Sequence, residues 1–174
     1  MSLTQTTVSS FVQTGETNMF GNVTPPPENF THQTASINTP LVNGTSAGQA
    51  NHSVELLLSC GTGGVTLDLT ATGALTGLDG KNRDFSNGGS GGNIKDILLE
   101  NLDPTNTITI TQGSNGWTGI SGAATGLNKP IPPGGHIHIY DPTGLAVSST
   151  NNGLTFTGSA GTPQLKATIV GVAA

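Results

Sequence analysis

The sequence predicts an all-β protein, a sandwich or barrel of short strands preceded by an extended N-terminal arm. Three observations predict it. Apolar and polar residues alternate with period two in several runs, most cleanly in Val65-Thr66-Leu67-Asp68-Leu69-Thr70 and Thr107-Ile108-Thr109-Ile110-Thr111. Clusters of Gly, Pro, Asn and Asp punctuate these runs at short intervals. Charged residues make up only 9% of the chain while β-branched residues recur in the runs, which separates it from a disordered polymer. A length of 174 residues allows one domain with a real core. With 33% apolar and 4% aromatic residues, that core must be built from few side chains.

Residues 1–50 stand apart. They are rich in Thr, Gln and Asn, and Pro25-Pro26-Pro27 excludes helix and interior strand in favour of an extended segment. Two readings stay open: an arm that packs on a neighbouring molecule, or an irregular lead into the sandwich. Phe11, Phe20 and Phe30 are its candidate contact residues. The sandwich itself is assigned to residues 51–174.

The strands follow in order. Val54-Glu55-Leu56-Leu57-Leu58 reads as a buried strand, and Gly61-Thr62-Gly63-Gly64 as a turn into Val65–Thr70, so these two strands are predicted to form a hairpin. A Gly-rich loop occupies residues 77–93. Ile94–Leu102 is the next strand, and Asp103-Pro104-Thr105-Asn106 turns the chain into Thr107–Thr111. A loop around Trp117 leads to a proline-glycine turn over Pro130–Gly135 and a strand over His136–Tyr140. A turn at Asp141-Pro142-Thr143-Gly144 precedes short strands near Leu145–Val147 and Leu154–Phe156, and Leu165–Val172 closes the series. No helix is predicted beyond a short turn near residues 45–52. Many short strands with such turns mean a sandwich or barrel.

Charge narrows the function. The net charge is −5, and of Lys81, Arg83, Lys95, Lys129 and Lys166 only the first two lie close in sequence. Nucleic-acid affinity rests on clustered cations facing phosphates, so a nucleic-acid partner is not expected. No apolar run has the length to span a bilayer, and no basic amphipathic helix marks a membrane surface. Cys60 is the single cysteine, which excludes an intrachain disulfide. The N-terminus lacks a basic stretch followed by an apolar one, so synthesis and assembly in a cytoplasm are expected. No cofactor is expected.

His136 and His138 are spaced to share one strand face and are the only candidate metal ligands with any local pattern. The plainer reading is a polar outer face opposite Ile137 and Ile139. Asp79-Gly80-Lys81-Asn82-Arg83-Asp84 puts cations where a calcium loop needs oxygens, so it reads as a loop tip. Trp117 has three readings: a plug at one end of the sandwich, an interface anchor, or a stacking platform for a sugar with Asn115 and Thr118 beside it. Catalysis finds no support. Cys60 ends an apolar strand, and no nucleophile elbow, zinc-protease helix or phosphate loop is present.

The block from Leu99 to the C-terminus resembles a recurring pattern in small tailed-phage virion proteins. The matching pieces are Glu100-Asn101-Leu102 with Asn106 to Ile110, then Ile131 to Gly135, then Leu165 to Gly171. They cover under half of the chain. The resemblance implies a jelly-roll-like antiparallel β-sandwich that decorates or cements a capsid, or forms part of a fibre or head accessory structure. It implies a capsid or other virion protein as partner and a location in the virion, and it transfers no catalytic residue. The low charge suits symmetric self-association, as in a trimer. Two other readings come from different classes: a carbohydrate-binding β-sandwich using Trp117, and a metal-dependent cupin-like enzyme using His136 and His138.

Overall fold

The computed structural model describes residues 36–70, 75–76, 81–86, 92–122 and 126–172, with the backbone of 5–11; side chains are described from residue 41 onward. The chain divides into two compact units, one of Thr7–Pro40 and one of Met1–Thr6 with Leu41–Ala174. The first holds most of β1 (Gln5–Phe11) and β2 (Ser36–Asn43), which are neighbours in one sheet. Pro25-Pro26-Pro27, Phe20 and Phe30 lie outside the described residues, as does the side chain of Phe11.

The second unit is the β-sandwich. After the short β3 (Gln49–Ala50) come β4 (His52–Ser59), β5 (Val65–Asp68), β6 (Gly92–Asn101), β7 (Ile108–Thr111), β8 (Asn128–Ile131), β9 (His136–Val147), β10 (Gly153–Gly158) and β11 (Gln164–Val172). Their pairing is nested. β4 pairs with β11, β5 with β10, β6 with β9 and β7 with β8, all antiparallel. The chain is thus one long two-stranded ribbon. Further pairings of β11 with β6 and β10 with β7 roll that ribbon into two four-stranded sheets, β4-β11-β6-β9 and β5-β10-β7-β8. That order is the jelly roll. Among the described residues there is no helix.

The nesting corrects one expectation. β4 and β5 do not form a hairpin; they lie in opposite sheets. The Gly61–Gly64 turn is real, with the Gly64 N–H donating to the Gly61 carbonyl at 3.0 Å, but it carries the chain across the sandwich. Within the sandwich, from β4 to β11, only β7 and β8 are consecutive strands that pair. The Asp103 turn works the same way. Its carboxylate accepts the N–H groups of Thr105 at 2.8 Å and Asn106 at 2.6 Å, and the chain passes from one sheet to the other.

Two more differences have local causes. The turn expected at Asp141–Gly144 is a bulge inside a single strand. Tyr140 pairs with Asp96 and Leu145 with Ile94, so the residues between them leave the ladder opposite Lys95 alone. Asp141 accepts from the backbone and hydroxyl of Thr143, while the buried Lys95 ammonium donates to the Thr143 carbonyl at 2.6 Å. Pro130, expected in the proline-glycine turn, belongs to β8. Proline is tolerated because β8 is an edge strand with only β7 beside it. The turn proper follows, with Gly134 at φ 66 and the Gly135 N–H donating to the Pro132 carbonyl.

One apolar cluster fills the sandwich. Leu67, Leu154, Phe156, Ile108 and Ile110 from one sheet meet Ile97, Leu99, Leu165, Ala167 and Ile169 from the other, and Phe85, Leu75 and Trp117 close it from the connections. Each large side chain buried here stabilises by about 1.5–3 kcal/mol. Leu41, Ala50 and Val170 are buried outside this cluster. By strand alternation Val170 shares a face with Lys166 and Thr168, yet it is only 3% exposed. The neighbouring β3 segment packs against β11 at this end, where the Asn51 N–H donates to Gly171 and the Gly48 N–H to Pro142, at 3.1 and 2.8 Å.

Candidate interaction faces

Among the described residues the core between the sheets is apolar. Its cluster is hydrocarbon apart from the Cys60 thiol and the Trp117 indole. Burial pushes the Cys60 thiol up to about 11, against a weaker opposing hydrogen bond from the Leu165 backbone, so it is not a thiolate at neutral pH.

Trp117 is inside. It is fully buried, its indole N–H donates to the Ala146 carbonyl at 2.9 Å, and its backbone N–H donates to Gly153 at 2.8 Å. Asn115 holds the left-handed φ of 58 that turns the loop, and its carbonyl accepts the N–H groups of Asn152 and Gly153. Gly119 lies against the ring, where any Cβ would collide with it. This is the plug arrangement. The interface and sugar-stacking roles for Trp117 fail, because no part of the ring faces solvent.

His136 and His138 do share a face, and it points away from the core. His138 Nε2 lies 2.7 Å from Asp96 Oδ1, and both side chains are largely covered. Burial raises the Asp96 pKa, and the neighbouring imidazole partly offsets this. His136 is exposed, in register with Glu100. Among the described residues no group of three or more His, Cys, Asp or Glu is placed to hold a metal. An open sheet face gives such a site no walls, and the cupin-like reading needs walls to exclude water.

The registers fix both outer faces row by row. On the β4-β11-β6-β9 sheet one row runs Leu57, Lys166, Glu100, His136, and the next runs Glu55, Thr168, Leu98, His138. Lys166 Nζ reaches Glu55 at 3.2 Å and Glu100 at 3.8 Å, which holds its pKa above the ordinary lysine value, the hydrogen bond to Glu55 contributing most. At the open end Gln164 donates to Ser59 at 2.8 Å, and Leu102 lies beside Gln164, to whose carbonyl its N–H donates.

The β5-β10-β7-β8 sheet is different in kind. Its outer rows are Thr66, Thr155, Thr111, Asn128 and then Thr157, Thr109, Pro130. Thr66 and Thr155 share a hydroxyl hydrogen bond at 3.1 Å. These two rows present methyls and hydroxyls and carry no charge. The TIT and TFT patterns of β7 and β10 announce this in sequence; their alignment side by side depends on the fold.

Comparison with protein-family models, curated proteins and solved structures gives no match for this chain.

Proposed function

We propose that this chain is a non-catalytic structural protein, a jelly-roll unit that decorates or cements a phage or virus-like capsid through self-association and contacts with a protein lattice. The observation that carries the reading is the nested jelly-roll pairing around an interior filled by its own side chains. Jelly rolls serve as capsid, lectin and cupin scaffolds. The lectin-like and cupin-like uses need an exposed stacking surface or an enclosed polar site. Here the Trp117 ring is buried and the histidines lie on an open face. The two uncharged threonine rows suit packing between copies, since they bring no like charges together.

Mass spectrometry of purified particles tests the setting, with a fixed ratio to the capsid protein expected. Light scattering tests self-association, with a small symmetric oligomer expected. A strict monomer at high concentration, together with absence from particles, overturns the proposal.

A further inference from the structure

We infer that the outer face of the β4-β11-β6-β9 sheet docks a different protein, whose contact surface is apolar and positively charged. The inference rests on the structural reading above and adds the face and the chemistry of its partner. Among the described residues three large hydrophobic side chains stand exposed, and two of them, Leu57 at 63% and Leu102 at 52%, belong to this face. From strand spacing they sit about 12 Å apart, two strands and one row removed. Half-buried Leu98 lies on β6, which Leu102 directly follows, so the three leucines surround the Lys166–Glu100 pair.

Charge selects the partner. Glu55, Glu100 and Asp96 face outward with Lys166, so the carboxylates of these rows outnumber the one ammonium. Lys166 is already engaged by two of those carboxylates. A second copy docked on this face would bring the same carboxylates face to face. Like charges so opposed disfavour association. The fitting occupant supplies lysine or arginine around an apolar centre. The β3 segment packs against β11 at the far end of the face, which leaves the leucine end open. The two threonine rows of the other sheet, uncharged and without large apolar side chains, have neither feature.

The test titrates a soluble amphipathic Leu/Lys peptide into the isotopically labelled full chain and follows amide shifts. Shifts are expected over residues 55–57, 98–102 and 164–168, fading as salt rises. Thr66, Thr109 and Thr155 should stay unmoved. A Ser/Lys peptide of equal charge, and the Leu57→Ser/Leu102→Ser variant, should each weaken binding roughly tenfold or more. Both leucines are exposed, so that variant is expected to fold. Shifts centred on the threonine rows, or none at millimolar peptide, overturn the inference. So does self-association that this double variant abolishes, because the occupant is then a second copy. A chain missing from particles that still binds the peptide here removes the virion setting alone; a chain found in particles that binds elsewhere removes the docking face alone.

Discussion

Replacing Asn101 tests how the two turn systems at one end of the sandwich are joined. Asn101 ends β6 and is only 2% exposed. Its amide nitrogen donates to the carbonyls of Asn106 at 2.8 Å, Ile131 at 3.1 Å and Pro132 at 3.1 Å, and its oxygen accepts the Asp103 N–H at 3.0 Å. One side chain thus ties the β6–β7 crossing to the β8–β9 turn. Two amide hydrogens shared over three carbonyls, plus one accepted bond, amount to about three net hydrogen bonds at ~1 kcal/mol each. Leaving the Ile131 carbonyl buried without its donor adds to this, so Asn101→Ala should cost roughly 2–4 kcal/mol. That is a large share of a typical total of about 5–15 kcal/mol. For a domain of this size it lowers Tm by about 4–16 °C. Asn101→Asp should be worse at pH 7, because a carboxylate faces carbonyl oxygens. Its buried acid has a raised folded pKa, so the extra penalty should shrink as the pH falls and the acid becomes a donor. Urea denaturation of both variants at pH 7 and pH 4.5 measures this. An alanine variant within about 0.5 kcal/mol of wild type would refute the reasoning, as would an aspartate variant with no pH dependence of its own.

Trp117→Ala should destabilise by about 3–5 kcal/mol through the cavity it leaves, and tryptophan emission in the wild type should be blue-shifted and poorly quenched by iodide; ready quenching contradicts the plug. Gly158→Ala should cost about 1–3 kcal/mol, since a Cβ would strike the Cys60 carbonyl and the Pro163 ring, and calorimetry reads it directly. Asp103 and Asp141 have pKa values held below the ordinary 3.8 by turn hydrogen bonds, from Asn106 and Thr105 for the first and chiefly from Thr143 for the second. Their stabilisation is therefore complete above the ordinary carboxylate range and is lost as pH falls through the lowered values. Asp103→Asn and Asp141→Asn should each flatten the acid limb of a stability–pH profile, and an unchanged limb would dismiss the turn assignment.

Much of the fold was legible because its signals are local. Period-two alternation at residues 65–70 and 107–111 marks strands from neighbouring residues alone. The Asx turns at Asp103 and Asp141 and the glycine at 134 act within three or four residues, so their positions show in the chain. The alternation also put His136 and His138 on one face. It carried no information on what that face would meet, and the pairing of His138 with Asp96 depends on β6 lying beside β9. Leu57 reads as core in an apolar run, yet it stands in solvent, because alternation sends Leu56 and Leu58 inward instead. Trp117 reads as loop because its neighbours are Gly and Asn, yet packing against Gly119 and Ala146 buries it.

By itself, then, the sequence determined an all-β chain, the location of most strands and the residues that share each face. Tertiary structure alone decided the nested pairing of β4 with β11 and β5 with β10, the crossing where a hairpin was expected, and the bulge that keeps β9 one strand. The physical reason is that side-chain alternation and turn chemistry are properties of adjacent residues. A strand's partner is set by the closure of a whole core, and every such pairing joins segments that are distant in the chain.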